Sequence, residues 1–189
     1  MPSRNTLVRS LHDLGAAAWF GGSLMGAVGL NGAAATSSDP AERLRVASVG
    51  WAKWTPVQLA AVVAHGVGGI GLILANKTRL ANQQESRTNT LVKTIVTGLA
   101  GVASVTAAIA GATQAKNAHE GAPGVTEASP ANSSELTTAL RVQKVTQWAI
   151  PVLTSVIIIL GAQQGEQQRP VKGLWETTAR MFRNFGKKK

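Results

Sequence analysis

Four runs of about 20 residues each, 14–35, 54–76, 94–115 and 145–165, carry no formal charge in a chain whose net charge is +10. A helix rising 1.5 Å per residue needs about 20 residues to cross a hydrocarbon core of roughly 30 Å. A soluble amphipathic helix shows a polar face within two turns, whereas Thr94 to Ala115 offers only Thr, Ser, Gly and one Gln as polar residues. The charges are therefore bunched at the ends of the runs. This pattern predicts an all-α fold: residues 1–166 form a polytopic membrane four-helix bundle, and residues 167–189 form a basic amphipathic tail.

Charge bias in short loops predicts the threading. With the N-terminus in the cytoplasm, the inner segments hold thirteen basic residues: Arg4, Arg9, Lys77, Arg79, Arg87, Lys93 and all seven of the tail. The outer segments hold six, Arg43, Arg45, Lys53, Lys116, Arg141 and Lys144, together with five of the nine acids. Both termini are expected inside, in a bacterial inner (plasma) membrane. Trp51, Trp54 and Trp148 fall at outer span ends, where indoles anchor helices at the lipid interface. Thr55-Pro56 reads as an N-cap and first helical residue of the second span, and Pro151 falls in the first turns of the fourth. The run after Arg4 and Arg9 ends in "GAAAT", which also fits a leader cleaved after Ala35. The run length and Trp19 favour a retained span.

Helices in lipid associate by close backbone approach. His12, Gly15, Trp19, Gly22, Gly26 and Gly29 share one face of the first span. Gln58, Ala61, His65 and Gly68 share one of the second, and Thr97, Gly101, Ser104 and Ala108 one of the third. Gly15, Gly22, Gly26, Gly68 and Gly101 are the expected packing glycines. The stretch "DPAERLRVASVGWAK" is expected as a short surface helix, and "NAHEGAPGVTEASPANSSEL" as an irregular loop. In the tail, Trp175 shares an apolar face with Leu174, Met181 and Phe182, while Arg180 and Arg183 lie elsewhere. That is an interfacial amphipathic helix suited to anionic lipid headgroups. A basic cluster directly after a span points to lipid and topology, and no nucleic acid is expected.

His65 is the most unusual residue. It lies 12 residues from both Lys53 and Lys77, near the expected midplane, where an ionisable side chain is a functional candidate. It would equally serve as a neutral hydrogen-bonding link between helices. With Leu14 and Lys77 placed at the same inner boundary, His12 falls about 3 Å outside it and His65 about 18 Å inside. A single iron shared by the two is then disfavoured, while one-histidine haem or metal binding is not. His119-Glu120 provides too few ligands for a metal site. No Cys, Walker loop, dinucleotide-binding glycine motif, HExxH or nucleophile elbow is present. No acid lies inside an expected span, which argues against a carboxylate-based proton-coupled transporter.

At "LHDLGAAAWFGGSLMG", His12, Trp19, Gly21 and Gly22 form a pattern that resembles the first helix of copper-resistance D-type proteins and of membrane protoporphyrinogen oxidases. The resemblance covers about 12 residues and implies His12 as a candidate haem or copper ligand. Over its whole length the chain resembles small four-span proteins of high-GC bacteria. The leading expectation is a non-catalytic accessory or structural subunit, packing as a homo-oligomer or with a larger membrane complex and needing no cofactor. The alternative is a haem b- or copper-binding redox or metal-handling protein that uses His65 or His12.

Overall fold

The computed structural model describes residues 5–166, apart from the side chains at 78, 79 and 166. The expected tail, with Trp175, Arg180 and Arg183, lies outside the described residues. Within them the chain is 87% helical and has no strands. The elements are α1 (Thr6–Met25), one π-helical stretch (Gly26–Leu30), α2 (Asn31–Ala35), α3 (Pro40–Ala75), α4 (Lys77–Asn82), α5 (Gln84–Lys116) and α6 (Ser134–Glu166). A 3₁₀ turn, Ala118–Glu120, precedes the long connection to α6. Among the described residues, three helices, α3, α5 and α6, are long and apolar enough to cross a membrane.

These helices outrun their charge-free cores. At 36 residues α3 is about 54 Å long, and α5 and α6, at 33 residues each, about 50 Å. The expected surface helix is thus the opening portion of α3. Asp39 caps it by accepting the Ala41 N–H at 2.9 Å, with Pro40 at the first position. Thr55-Pro56 starts no helix. The missing proline N–H leaves the Ala52 carbonyl without its usual partner, and the Thr55 hydroxyl adds a bond to the neighbouring Trp51 carbonyl at 2.9 Å. The helix runs through because its first turns are themselves buried. Leu44 is packed with Ala122, Leu136 and Leu140, and Ala47 with Ala34 and Val125.

That second layer also fastens the connection between α5 and α6. The Arg43 guanidinium donates to the carbonyls of Ala122 (2.8 Å), Pro123 (2.5 Å) and Ser37 (2.8 Å). Gly121 turns at φ +66° hard against Pro40, a conformation that favours glycine. The segment is irregular, as expected, but its backbone is tied to α3.

The main core gathers Ala16, Trp19, Ala61, Ala100, Ile150 and Ile157. In it α1 packs on α3 and α6, α5 packs on α6, and α3 meets α5 over a smaller area. Glycines set how α1 and α3 align. A Cβ at Gly15 would strike the Ala61 carbonyl and the His65 backbone, and one at Gly68 the backbone of His12. Further along, the Trp54 ring covers Gly22 and the Trp51 ring covers Gly26. The π-helical turn begins at this last contact, where the ring replaces a side chain that Gly26 lacks. Gly101 is different: a Cβ there would meet nothing within 4 Å among the described residues.

Candidate functional site

This alignment corrects the expected depths of the two histidines. The sequence reading set Leu14 level with Lys77; the structure sets His12 level with Gly68. The side-chain-free surfaces of Gly15 and Gly68 let the two backbones meet there, and the Trp54 and Trp51 rings fit over Gly22 and Gly26. His12 and His65 become neighbours, their ring centroids 4.2 Å apart and their planes tilted by 38°. Both are buried, at 4% and 3% exposure.

Each imidazole has an oxygen on Nδ1. His65 Nδ1 lies 3.0 Å from the His12 carbonyl, and His12 Nδ1 lies 2.8 Å from Asp13 Oδ1. A carbonyl accepts only, and so does an ionised carboxylate, so both rings carry their proton on Nδ1. In the neutral rings the lone pair is left on Nε2. His65 Nε2 lies a long 3.5 Å from the Thr97 hydroxyl. Trp19, fully buried, meets the His65 ring edge-on with centroids 6.2 Å apart, and its indole N–H donates to Ser104 Oγ at 3.1 Å. Trp19 thereby fixes the back of the site.

The pair lines a cavity of about 230 Å³ between α1, α3, α5 and α6. Arg9, Asp13, Lys93 and Gln164 bring charge and polarity to it, and Ile70 and Ile73 an apolar wall. Lys93 Nζ donates to Gln164 Oε1 at 2.9 Å, and Gln164 Nε2 donates to Thr90 Oγ1 at 3.1 Å. Sequence reasoning missed Arg9, Asp13, Lys93 and Gln164 as members of one site. Lys93 entered it only as a span boundary, and Asp13 only as a helix-end acid. The signal that could have found them is the fit of two tryptophans to two glycines, which fixes the stagger of α1 against α3.

The other expected positions fall elsewhere. Gly22 and Gly26 belong to the seam with α3 and not to an open surface. Trp51 and Trp54 are half-buried over that seam, and the Trp51 indole donates to Asn31 Oδ1 at 2.9 Å. Trp148 is half-exposed. His119 stands on the 3₁₀ turn beside Glu120, whose carboxylate accepts the Ser133 N–H and hydroxyl, both at 2.7 Å.

The two rings do not stand as a pair of axial haem ligands. Two axial rings on opposite faces of one iron, each with a metal–nitrogen bond of about 2.0 Å, have centres roughly 6 Å apart. The observed 4.2 Å is too close, and the cavity is small beside the roughly 300 Å³ and upwards of organic-ligand pockets. Haem b therefore does not fit between these two rings. No group of three or more His, Cys, Asp or Glu side chains with metal-holding geometry occurs among the described residues. No protein-family model, curated protein or solved structure matches the chain.

Proposed function

We propose that this chain is a four-span protein of the bacterial plasma membrane that binds a transition-metal ion, copper above others, between His12 and His65. The observation that carries the reading is the paired Nδ1 hydrogen bonding, which leaves both Nε2 atoms as ligands. Metal-bound histidines characteristically donate their other N–H to a carbonyl or carboxylate, and here both partners exist without the metal. Two imidazoles with no third protein ligand suit Cu(I), which accepts low coordination, better than Zn(II), which takes four ligands, and a linear ion held by both would spread the ring centres from 4.2 Å to roughly 6 Å.

The exposed apolar side chains support the membrane placement. Leu7 to Met25 on α1, Val57 to Leu74 on α3, Leu91 to Ile109 on α5 and Val145 to Ile159 on α6 fall into one belt. The contacts of Gly68 with His12, Thr97 with His65 and Gln143 with Ala107 align it. From Leu91 to Ile109 it is about 27 Å deep, close to the hydrocarbon thickness. Lys53 and Lys144 mark one edge; Lys77 and Arg87 mark the other. Among the described residues, the charged side chains between those edges are Arg9, Asp13 and Lys93, and all three line the histidine cavity. Intramembrane ionisable groups are retained for function, and these converge on one place. The bias of thirteen basic residues against six in the sequence favours both termini in the cytoplasm.

Metal titration of the detergent-purified protein tests this reading. The expected result is one Cu(I) per chain, with affinity falling roughly tenfold or more in His65→Gln. Copper affinity unchanged by that substitution contradicts it. A second reading, an accessory subunit that packs with itself or a larger complex, rests on α5. That helix leaves Gly98 and Gly101 uncovered beside exposed Ile95, Leu99, Val102 and Val105, a surface on which another helix could close.

A further inference from the structure

A second opening lies between the start of α5 and the end of α6. It is a groove of about 1010 Å³, with Glu85, Thr88, Asn89 and Val92 on one wall and Leu160 and Gln163 on the other. The histidine cavity, at about 230 Å³, is far smaller. The groove therefore has room for a stretch of polypeptide. Val92 and Leu160 give it an apolar floor, and amides and hydroxyls give most of the rest.

Two groups in the lining await a donor. Asn89, only 7% exposed, gives its amide nitrogen to the Leu160 carbonyl at 3.4 Å and to Gln163 Oε1 at 3.2 Å. A carbonyl only accepts, so the nitrogen must face α6 and the oxygen must turn away from it. That oxygen is buried and has no hydrogen-bond partner, a costly state for a polar atom. Glu85 stands exposed in the first turn of α5 and has no ion pair among the described residues. It carries the lining's single charge, which is negative.

The chain itself supplies a matching segment. Gln143 bonds to Ala107, and Gln164 to Thr90, so α6 runs antiparallel to α5. Each step along α6 comes level with a step back along α5, and the register aims the chain leaving Glu166 toward Glu85. Arg169 follows three residues later, within about 10 Å of extended chain. Residues 167–172, "QQRPVK", bring two positive charges and no negative one. An arginine offers five donors in a planar fork, enough for a carboxylate and an amide oxygen together.

We propose that residues 167–172 of this chain dock in the groove, with Arg169 donating to Glu85 and to Asn89 Oδ1. The later tail, with Trp175, Arg180 and Arg183, is left for the lipid interface. Gln163 lines the groove and Gln164 the histidine cavity, so the docked segment stands beside that cavity. The docking needs only the register of α5 on α6 and is independent of the metal.

The chain has no Cys, so a cysteine pair can be placed in the full-length protein. Val171→Cys is combined with Thr88→Cys, inside the groove, or with Arg87→Cys, at the same height but outside its lining. Disulfide formation is timed in nanodiscs of phosphatidylcholine, with and without phosphatidylglycerol. The Thr88 pair is expected to close at least about fivefold faster than the Arg87 pair, as a higher effective concentration implies. Adding Glu85→Lys is expected to slow it to the Arg87 rate, and adding Arg169→Glu to that variant to restore it. Recovery on exchanging the charges separates docking from a folding defect. Equal rates for the two pairs, or a Thr88 rate indifferent to Glu85→Lys, overturn the proposal. A Thr88 rate that drops to the Arg87 level with phosphatidylglycerol assigns the segment to the lipid surface instead. Disulfides that join two chains assign the groove to a second copy, and either result overturns docking within the chain.

Discussion

His65 donates its Nδ1 proton to the backbone carbonyl of His12 at 3.0 Å, and the two rings lie 4.2 Å apart. The bond spans 53 positions of sequence and ties the middle of α3 to the first turns of α1. It exists because glycines 15 and 68 bring the backbones together on either side of it.

Gly68→Leu should separate those backbones. Its side chain would enter the space of the His12 main chain, and overpacking of a tight seam costs about 1–3 kcal/mol. We expect a lower thermal midpoint together with lost metal binding. Gly101→Leu, at a site with open space, should leave the midpoint of the monomer unchanged. A change in oligomer size on Gly101→Leu, read by light scattering in detergent, would favour the accessory-subunit reading.

Asn31 links three helices. It accepts from the Trp51 indole at 2.9 Å and donates to Gln147 Oε1, also at 2.9 Å. Asn31→Leu removes both bonds and leaves a half-buried donor and acceptor unmatched, at a cost of about 1 kcal/mol or more. Chemical denaturation of the detergent-solubilised protein should show the loss. Trp51→Phe, which removes one donor and keeps most of the ring over Gly26, should cost less.

Trp19 should matter by volume more than by its hydrogen bond. Trp19→Ala empties a fully buried position, with an expected loss of about 3–5 kcal/mol. Trp19→Phe keeps most of the packing and forfeits the bond to Ser104, worth roughly 0.6 kcal/mol for an interhelical bond in a membrane protein. The ratio of the two midpoint shifts checks the assignment.

Glu120 gives the connection between α5 and α6 a pH dependence. The Ser133 N–H and hydroxyl hold its carboxyl below the ordinary carboxylate value of 4.5. A group depressed in the folded state stabilises it fully above the unfolded value and loses that contribution as pH falls through the folded one. Hydrogen exchange in residues 121–133 should therefore quicken as pH drops below the carboxylate range, beyond the intrinsic pH trend. Glu120→Gln should show the faster exchange already at neutral pH, with the extra pH dependence gone.

The apolar runs were legible because burial in lipid needs no partner pattern, only length without charge. Helix ends were not. Leu44, Leu136 and Leu140 look like ordinary amphipathic positions, and their burial against Ala122 depends on a loop whose anchor, Arg43, reads as a surface charge. The α1–α3 register was half legible. Gly15, Gly22, Gly26 and Gly68 announced close approach, and Trp51 and Trp54 announced bulk. Treating the tryptophans only as lipid anchors hid their fit to the glycines, and with it the meeting of His12 and His65. The presence of Asp13 and Lys93 beside them followed from that same alignment. Among the described residues, an acid and two bases, Asp13, Arg9 and Lys93, therefore line the cavity beside the two histidines, a grouping the linear sequence did not suggest.

A double-substitution cycle on copper affinity tests the shared site most directly. Cu(I) affinity is measured for the wild type, His12→Gln, His65→Gln and the double variant, with thermal midpoints recorded alongside. If both Nε2 atoms bind one ion, either single substitution removes most of the affinity and the double removes little more. Independent losses that simply add, or single variants that bind as the wild type does, would contradict a common site.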